Sequence, residues 1–236
     1  MADRLYQGSD PVVATGAFYL ILVPLTVFMI LFEEMSREKA TSLRMGLLLI
    51  GCSNTAYWIS WIITGFIFST IMSFLMHFFG FLFGFPVFVN SPVYVIFLLI
   101  FTVSVLELSI AFFLLTIIHN QQTAYTISYT YILVSVITIM ALMDAMVTYK
   151  LFFSLDMPGW SDYFRMIFEL MPSFHFTKLF SDVVRVTCCH MSFEGMTWIP
   201  GRQWETEDLF REVGGAFLTK DRYLVPSMYS SIVKCF

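Results

Sequence analysis

The chain has 236 residues, 58% of them hydrophobic, 18% aromatic and only 13% charged, with a formal net charge of -4 and a mean hydropathy of +0.78. A soluble domain of this length carries roughly a quarter of its residues as charges, so this composition excludes a water-soluble fold. No basic run is present to hold a phosphate backbone, which argues against a nucleic-acid partner.

The missing charge is concentrated in one stretch: between Arg44 and Asp144 the only fully charged side chain is Glu107. The solvent that tolerates such a stretch is a lipid bilayer, and the chain reads as an all-α, multi-pass membrane protein. After a polar segment at 1–11, a transmembrane domain is expected over 12–147. Its first span covers about 12–32, with Pro24 near the middle.

The segment 33–54 differs in character. Glu33 and Arg37 stand four apart in the favourable order for a helical ion pair. Ala40, Leu43, Leu47 and Ile50 form an apolar stripe opposite Arg37, Glu38 and Arg44. This pattern predicts an amphipathic surface helix running up into a second span at about 55–83. On that span Ala56, Ser60 and Thr64 repeat at four-residue spacing, as do Ser69 and Ser73, which suits close helix packing.

Two turn signals, Gly84-Phe85-Pro86 and Asn90-Ser91-Pro92, precede a third span at 93–118. The polar patch His119-Asn120-Gln121-Gln122 separates it from a fourth at 124–147. Within 148–187 two short aromatic-rich helices meet at Pro172. Phe164, Ile167, Phe168 and Met171 lie on one side of the first, and Phe176, Leu179, Phe180 and Val183 on one side of the second. Each is too short to span and carries charge, which predicts an interfacial or re-entrant hairpin. Residues 188–236 read as an exposed loop that turns apolar only from Ser227.

Few residues suggest chemistry. Glu107 sits mid-span, where an acid is costly enough that it faces protein or water. It reads either as a proton or substrate contact or, more plainly, as a carboxyl bonded to the next helix through Tyr129 or Ser135. No G-x-x-x-x-G-K-[ST] loop, H-E-x-x-H or G-x-S-x-G motif occurs, so no catalytic residue is assigned and the chain by itself reads as no enzyme. Cys188-Cys189-His190 lacks usable ligand spacing, and no metal site is expected. Cys188, Cys189 and Cys235 could supply one disulfide in an oxidising compartment.

The block from Glu33 to Leu47, followed by Tyr57-Trp58-Ile59-Ser60-Trp61, resembles the membrane domain of the A subfamily of ATP-binding-cassette transporters. Glu33, Arg37, Lys39, Met45, Gly46, Leu47, Trp58, Ser60 and Trp61 fall on the family's positions, while Ala40 and Ser42 depart from them. Ile110 to Thr116 is similar to the exit of the family's fourth helix, and the Pro172 hairpin to its paired outer helices. The resemblance implies an ABC-2-type (type V) exporter bundle with a cytoplasmic coupling helix at 33–54 and an outer re-entrant hairpin. It implies that Glu33, Arg37, Glu38, Lys39, Arg44, Met45 and Gly46 couple the spans to a nucleotide-binding domain, in cis or in trans.

It further implies a second transmembrane half as partner, ATP and magnesium on the nucleotide-binding domain rather than on this chain, and a lipid or other amphipathic cargo. A last span would then follow residue 236, making the chain a fragment. The competing readings are a channel or secondary carrier using Glu107, and a truncated membrane fragment without function.

Overall fold

A computed structural model describes residues 11–118, 120–142, 152, 163, 166, 168–169, 171–191, 198–216, 222–225 and 227–235. The polar segment before residue 11, the end of the expected fourth span beyond 142 and most of the first hairpin helix, including Arg165, lie outside them. Among the described residues four helices are long and apolar enough to cross a membrane: α1 (Pro11–Ala40), α3 (Asn54–Leu82), α5 (Val93–Ile117) and α6 (Gln121–Leu142). In hydrocarbon every backbone amide must be paired within its own segment, and a helix does this. Two short helices, α2 (Leu43–Leu49) and α4 (Pro86–Asn90), fill the turns on either side of α3.

Helix α1 is the hub and packs against α3, α5 and α6. Toward its start Ala17, Leu20, Ile21 and Leu25 join Val95, Ile96, Leu99 and Ile100 of α5; toward its end Val27, Phe28, Leu31, Phe32 and Met35 join Leu108, Ala111 and Leu115. It continues through Pro24 and on past residue 32 to Ala40. The stretch 33–54 is therefore not one surface helix. Glu33–Ala40 prolongs the first span, the chain breaks at Thr41-Ser42, and the seven residues of α2 follow. At the break Ser42 takes the left-handed region at φ 58°. Gly51, at φ 96°, then lets the chain reverse into α3.

The packing face of α3 includes the expected Ser69 and Ser73 but not Ala56, Ser60 and Thr64. Ala56 and Ser60 are exposed and Thr64 is half-buried; the buried row is Tyr57, Gly65, Ser69, Ser73, His77 and Gly80, one residue further round the helix. Both rows carry small residues at four-residue spacing, so spacing alone did not choose between them. A Cβ on Gly65 would collide with the Leu108 side chain, and one on Gly80 with the Phe88 ring. These glycines let α3 approach α5 and α4, as small residues do where lipid supplies no hydrophobic drive for association.

At the far end, helix α7 (Pro172–Thr187) packs against α1, α5 and α6. Pro172 occupies its first turn, so it starts this helix rather than kinking one. Phe176, Leu179, Phe180 and Val183 are buried in the shared core, and the Lys178–Asp182 ion pair (2.6 Å) is buried with them.

Beyond α7 the chain is more ordered than the expected loop. Two antiparallel hairpins, β1 (His190–Met191) with β2 (Trp198–Ile199) and β3 (Val213–Ala216) with β4 (Arg222–Val225), flank a 3-10 turn at Thr206–Leu209. Helix α8 (Met228–Cys235) returns onto α7. The segment is fastened by backbone bonds from Arg202 to Val186 (2.9 Å) and from Trp204 to Asn90 (3.0 Å), while Asn90 donates to the Thr187 carbonyl (2.9 Å). Arg202 also pairs with Asp208, whose carboxylate pushes the guanidinium above its ordinary value. Cys189 is a free thiol, and no metal-binding cluster of His, Cys, Asp or Glu occurs among the described residues.

Candidate functional site: the charged elbow

The elbow joining α1, α2 and α3 gathers the charged residues singled out in the sequence. Three of them point into the bundle. Glu38 accepts from the Tyr57 hydroxyl (2.9 Å) and the Trp61 indole N–H (3.1 Å), tying the end of α1 to the first two turns of α3. Tyr57 and Trp61 are one turn apart, so a single carboxylate oxygen can take both donors.

Lys39 donates to the Leu115 carbonyl (2.7 Å) and the Ile118 carbonyl (2.5 Å) at the end of α5. The last carbonyls of a helix have no partner within it, and a cation there satisfies them and complements the helix dipole. Arg44 reaches back from α2 to Asn54 Oδ1 (2.7 Å), its guanidinium 5.7 Å from the Tyr57 ring centre and 5.4 Å from that of Trp58.

The other members face outward or stand apart. Arg37 is exposed and pairs with Glu34 (2.5 Å), not with Glu33 as the four-residue spacing predicted. The three-residue step brings Glu34 to the guanidinium on the open side of α1. Met45 and Gly46 are exposed on α2, which buries none of its residues and presents Leu43, Leu49 and Ile50 as well. Exposed apolar side chains clustered beside charges mark a surface built to meet another body.

The elbow thus has two faces. An inner polar set of Glu38, Lys39 and Arg44 is tied to three helix ends, and an outer face of Arg37, Met45, Leu49 and Ile50 stays exposed among the described residues. The sequence did not assign Tyr57, Trp61 and Asn54 as anchors. Their signal lay in polar and aromatic residues at the first turns of an otherwise apolar span, where such groups settle at an interface.

Glu107 lies elsewhere, fully buried in mid-span. Its partner is Tyr131, whose hydroxyl donates to Oε2 (2.7 Å); Tyr129, the alternative on the same helix, is exposed and points away. Tyr131 lies two residues, more than half a helical turn, beyond Tyr129 and so faces inward where Tyr129 cannot.

The chain was compared with known proteins. The profile of the ABC-2 family transporter proteins matches residues 4–217. ABC transporter A family member 8 of Dictyostelium discoideum is 27% identical over 224 residues, covering 94% of this chain and 25% of that protein. A family member 1 of the same organism is 29% identical over 174 residues, 73% of this chain and 20% of its own length. A family member 2 of Arabidopsis thaliana is 29% identical over 126 residues, 53% of this chain and 13% of that protein. The chain therefore spans a quarter or less of these relatives. No solved structure matches it. With the family profile extending over nearly the whole chain and four apolar helices beneath it, the chain belongs to the ABC-2 family of transporter proteins.

Proposed function

We propose that the chain is the transmembrane part of an ATP-driven transporter that moves lipids or other amphipathic molecules across a membrane. A nucleotide-binding domain, in cis or in trans, supplies the ATP hydrolysis, and a second transmembrane half completes the transport unit. The observation that carries this reading is the two-faced elbow. Helix α2 buries none of its residues, so a push on it passes through a few defined connections. It travels through the backbone into α1, through Arg44 to the start of α3, and from the end of α1 to α3 by Glu38 and to α5 by Lys39. Three spans are thereby coupled to one exposed lever. The relatives' printed names, all ABC transporters of the A family, support the same reading.

The outer face is the docking surface for the nucleotide-binding domain. Arg37 is the residue to reverse there, since its one tie among the described side chains is the exposed pair with Glu34, which holds no span in place. In the full-length transporter reconstituted in vesicles, Arg37→Glu is expected to leave basal ATP hydrolysis in place and remove ATP-dependent flipping of a fluorescent phospholipid. Unchanged flipping and unchanged lipid-stimulated hydrolysis would refute the coupling role. Absence of ATP-dependent flipping in the unaltered transporter would refute the lipid cargo.

A further inference from the structure

Helix α6 is held differently from the other inner spans. Both α5 and α6 pack on α1 and not closely on each other, although a short turn joins them. More than half of the apolar window of α1 and of α5 is buried (56% each), against 28% for α6. The buried face of α5 is mostly aliphatic, while that of α6 runs Ala124, Ser128, Ser135, Thr138, Ile139 and Leu142. The Ser128 and Ser135 hydroxyls are buried without a hydrogen-bond partner among the described residues. Small polar side chains offer little dispersion contact, and an unpartnered hydroxyl in an apolar interior is costly. The middle of α6 is thus seated largely on small polar side chains.

One strong contact crosses that seat. The Tyr131 ring packs on Phe28 of α1 at 4.7 Å, and its hydroxyl reaches past to Glu107 Oε2 at 2.7 Å. Ser135, one turn along α6, lies close to the same Tyr131 oxygen without full hydrogen-bond geometry. Glu107 Oε1 is buried with no partner among the described residues. The closed arrangement leaves three buried polar groups unsatisfied among the described residues, and each would gain a partner if α6 moved and water or a polar headgroup entered.

We propose that the Glu107–Tyr131 hydrogen bond is an interhelical latch that holds α6 closed over α1 and α5, and that transport opens it. Glu107 and Tyr131 are then positioning residues, acting on where α6 sits and not on ATP. The proposal rests on the transport reading above only for what drives the opening; the closed latch stands on geometry.

The test uses the full-length transporter in a cysteine-free background carrying Ser128→Cys, with the rate of modification by a membrane-impermeant maleimide as readout. Residue 128 is fully buried in the closed seat. It is expected to be protected at rest and modified during ATP turnover. Tyr131→Phe removes the donor and is expected to raise the resting rate about tenfold, the equivalent of one net hydrogen bond. Glu107→Gln keeps an acceptor and should stay protected.

The double change Glu107→Leu with Tyr131→Phe removes the buried carboxyl together with its donor and strands neither, so it should fold as well as the parent and still be modified at rest. A merely structural role would not separate those last two variants. The latch is overturned if Tyr131→Phe and the double variant are as protected at rest as the parent. If both are modified at rest but ATP changes nothing in the parent, the latch stands and the ATP-coupled reading falls.

Discussion

Lys39→Met removes the ammonium group and keeps most of the stem, so it isolates the cap on α5 from the packing around it. The native Nζ makes two charge-assisted hydrogen bonds, to Leu115 and Ile118, at 2.7 and 2.5 Å. Bonds to a charged group contribute about 1.5–3 kcal/mol each when half-buried. A cation at a helix C-terminus adds about 0.3–1 kcal/mol through the dipole. Against this, the freed carbonyls lie at a helix end where water can replace part of what is lost. The net cost is on the order of 2 kcal/mol, roughly a thirtyfold shift in the local opening equilibrium.

Two measurements on the full-length protein in micelles check this. Hydrogen exchange should speed up at amides of the last turn of α5 and the first turn of α6, with little change in the middle of α5. The denaturation midpoint should fall by the same free energy. Lys39→Arg, which can still donate to a carbonyl, should recover more than half of both effects. A loss below about 0.5 kcal/mol, with exchange unchanged at the end of α5, would refute the cap as a structural tie and weaken the elbow as a three-helix lever.

Other substitutions probe other contacts. Gly65→Val would drive its side chain into Leu108 and cost about 1–3 kcal/mol by overpacking; adding Leu108→Ala should restore part of it in the same unfolding assay. Lys178→Met takes the ammonium away from the buried Asp182 carboxylate and is expected to destabilise the protein by up to about 3–5 kcal/mol. The pair Lys178→Met with Asp182→Leu should recover most of that loss, which thermal unfolding in detergent would show. Tyr57→Phe removes one of the two donors to Glu38 and should cost about 1 kcal/mol while leaving the Trp61 bond in place, seen as a lowered midpoint in the same unfolding assay.

Much of the architecture was legible residue by residue. A window with one charge between Arg44 and Asp144 admits only a bilayer as solvent, and the Gly-Phe-Pro and Asn-Ser-Pro turns divide it into spans. The elbow was visible as a charged interruption, and Glu107 as the one acid in hydrocarbon. What periodicity could not decide was direction. Ala56-Ser60-Thr64 and Gly65-Ser69-Ser73 are equivalent as patterns, and Leu108 on another helix selects the second. Tyr129 and Tyr131 are equally able to donate, and only the rotation of α6 on Phe28 turns Tyr131 inward.

The same division holds at the elbow and beyond α7. Local sequence placed the hydroxyl pair Thr41-Ser42 where a long helix could break, yet helix-forming residues on both sides concealed it. The loop after α7 acquires its shape from Asn90 and Thr187, ninety-seven positions apart in the chain and joined by one bond.

Solvent choice, span number and the location of charge follow from composition and spacing, because each depends on a residue and its near neighbours alone. Which face packs, which carboxylate finds a donor and which surface stays open depend on helices distant in sequence. Those were settled only when α1, α3, α5 and α6 met, since a side chain's partner is a property of the assembled bundle.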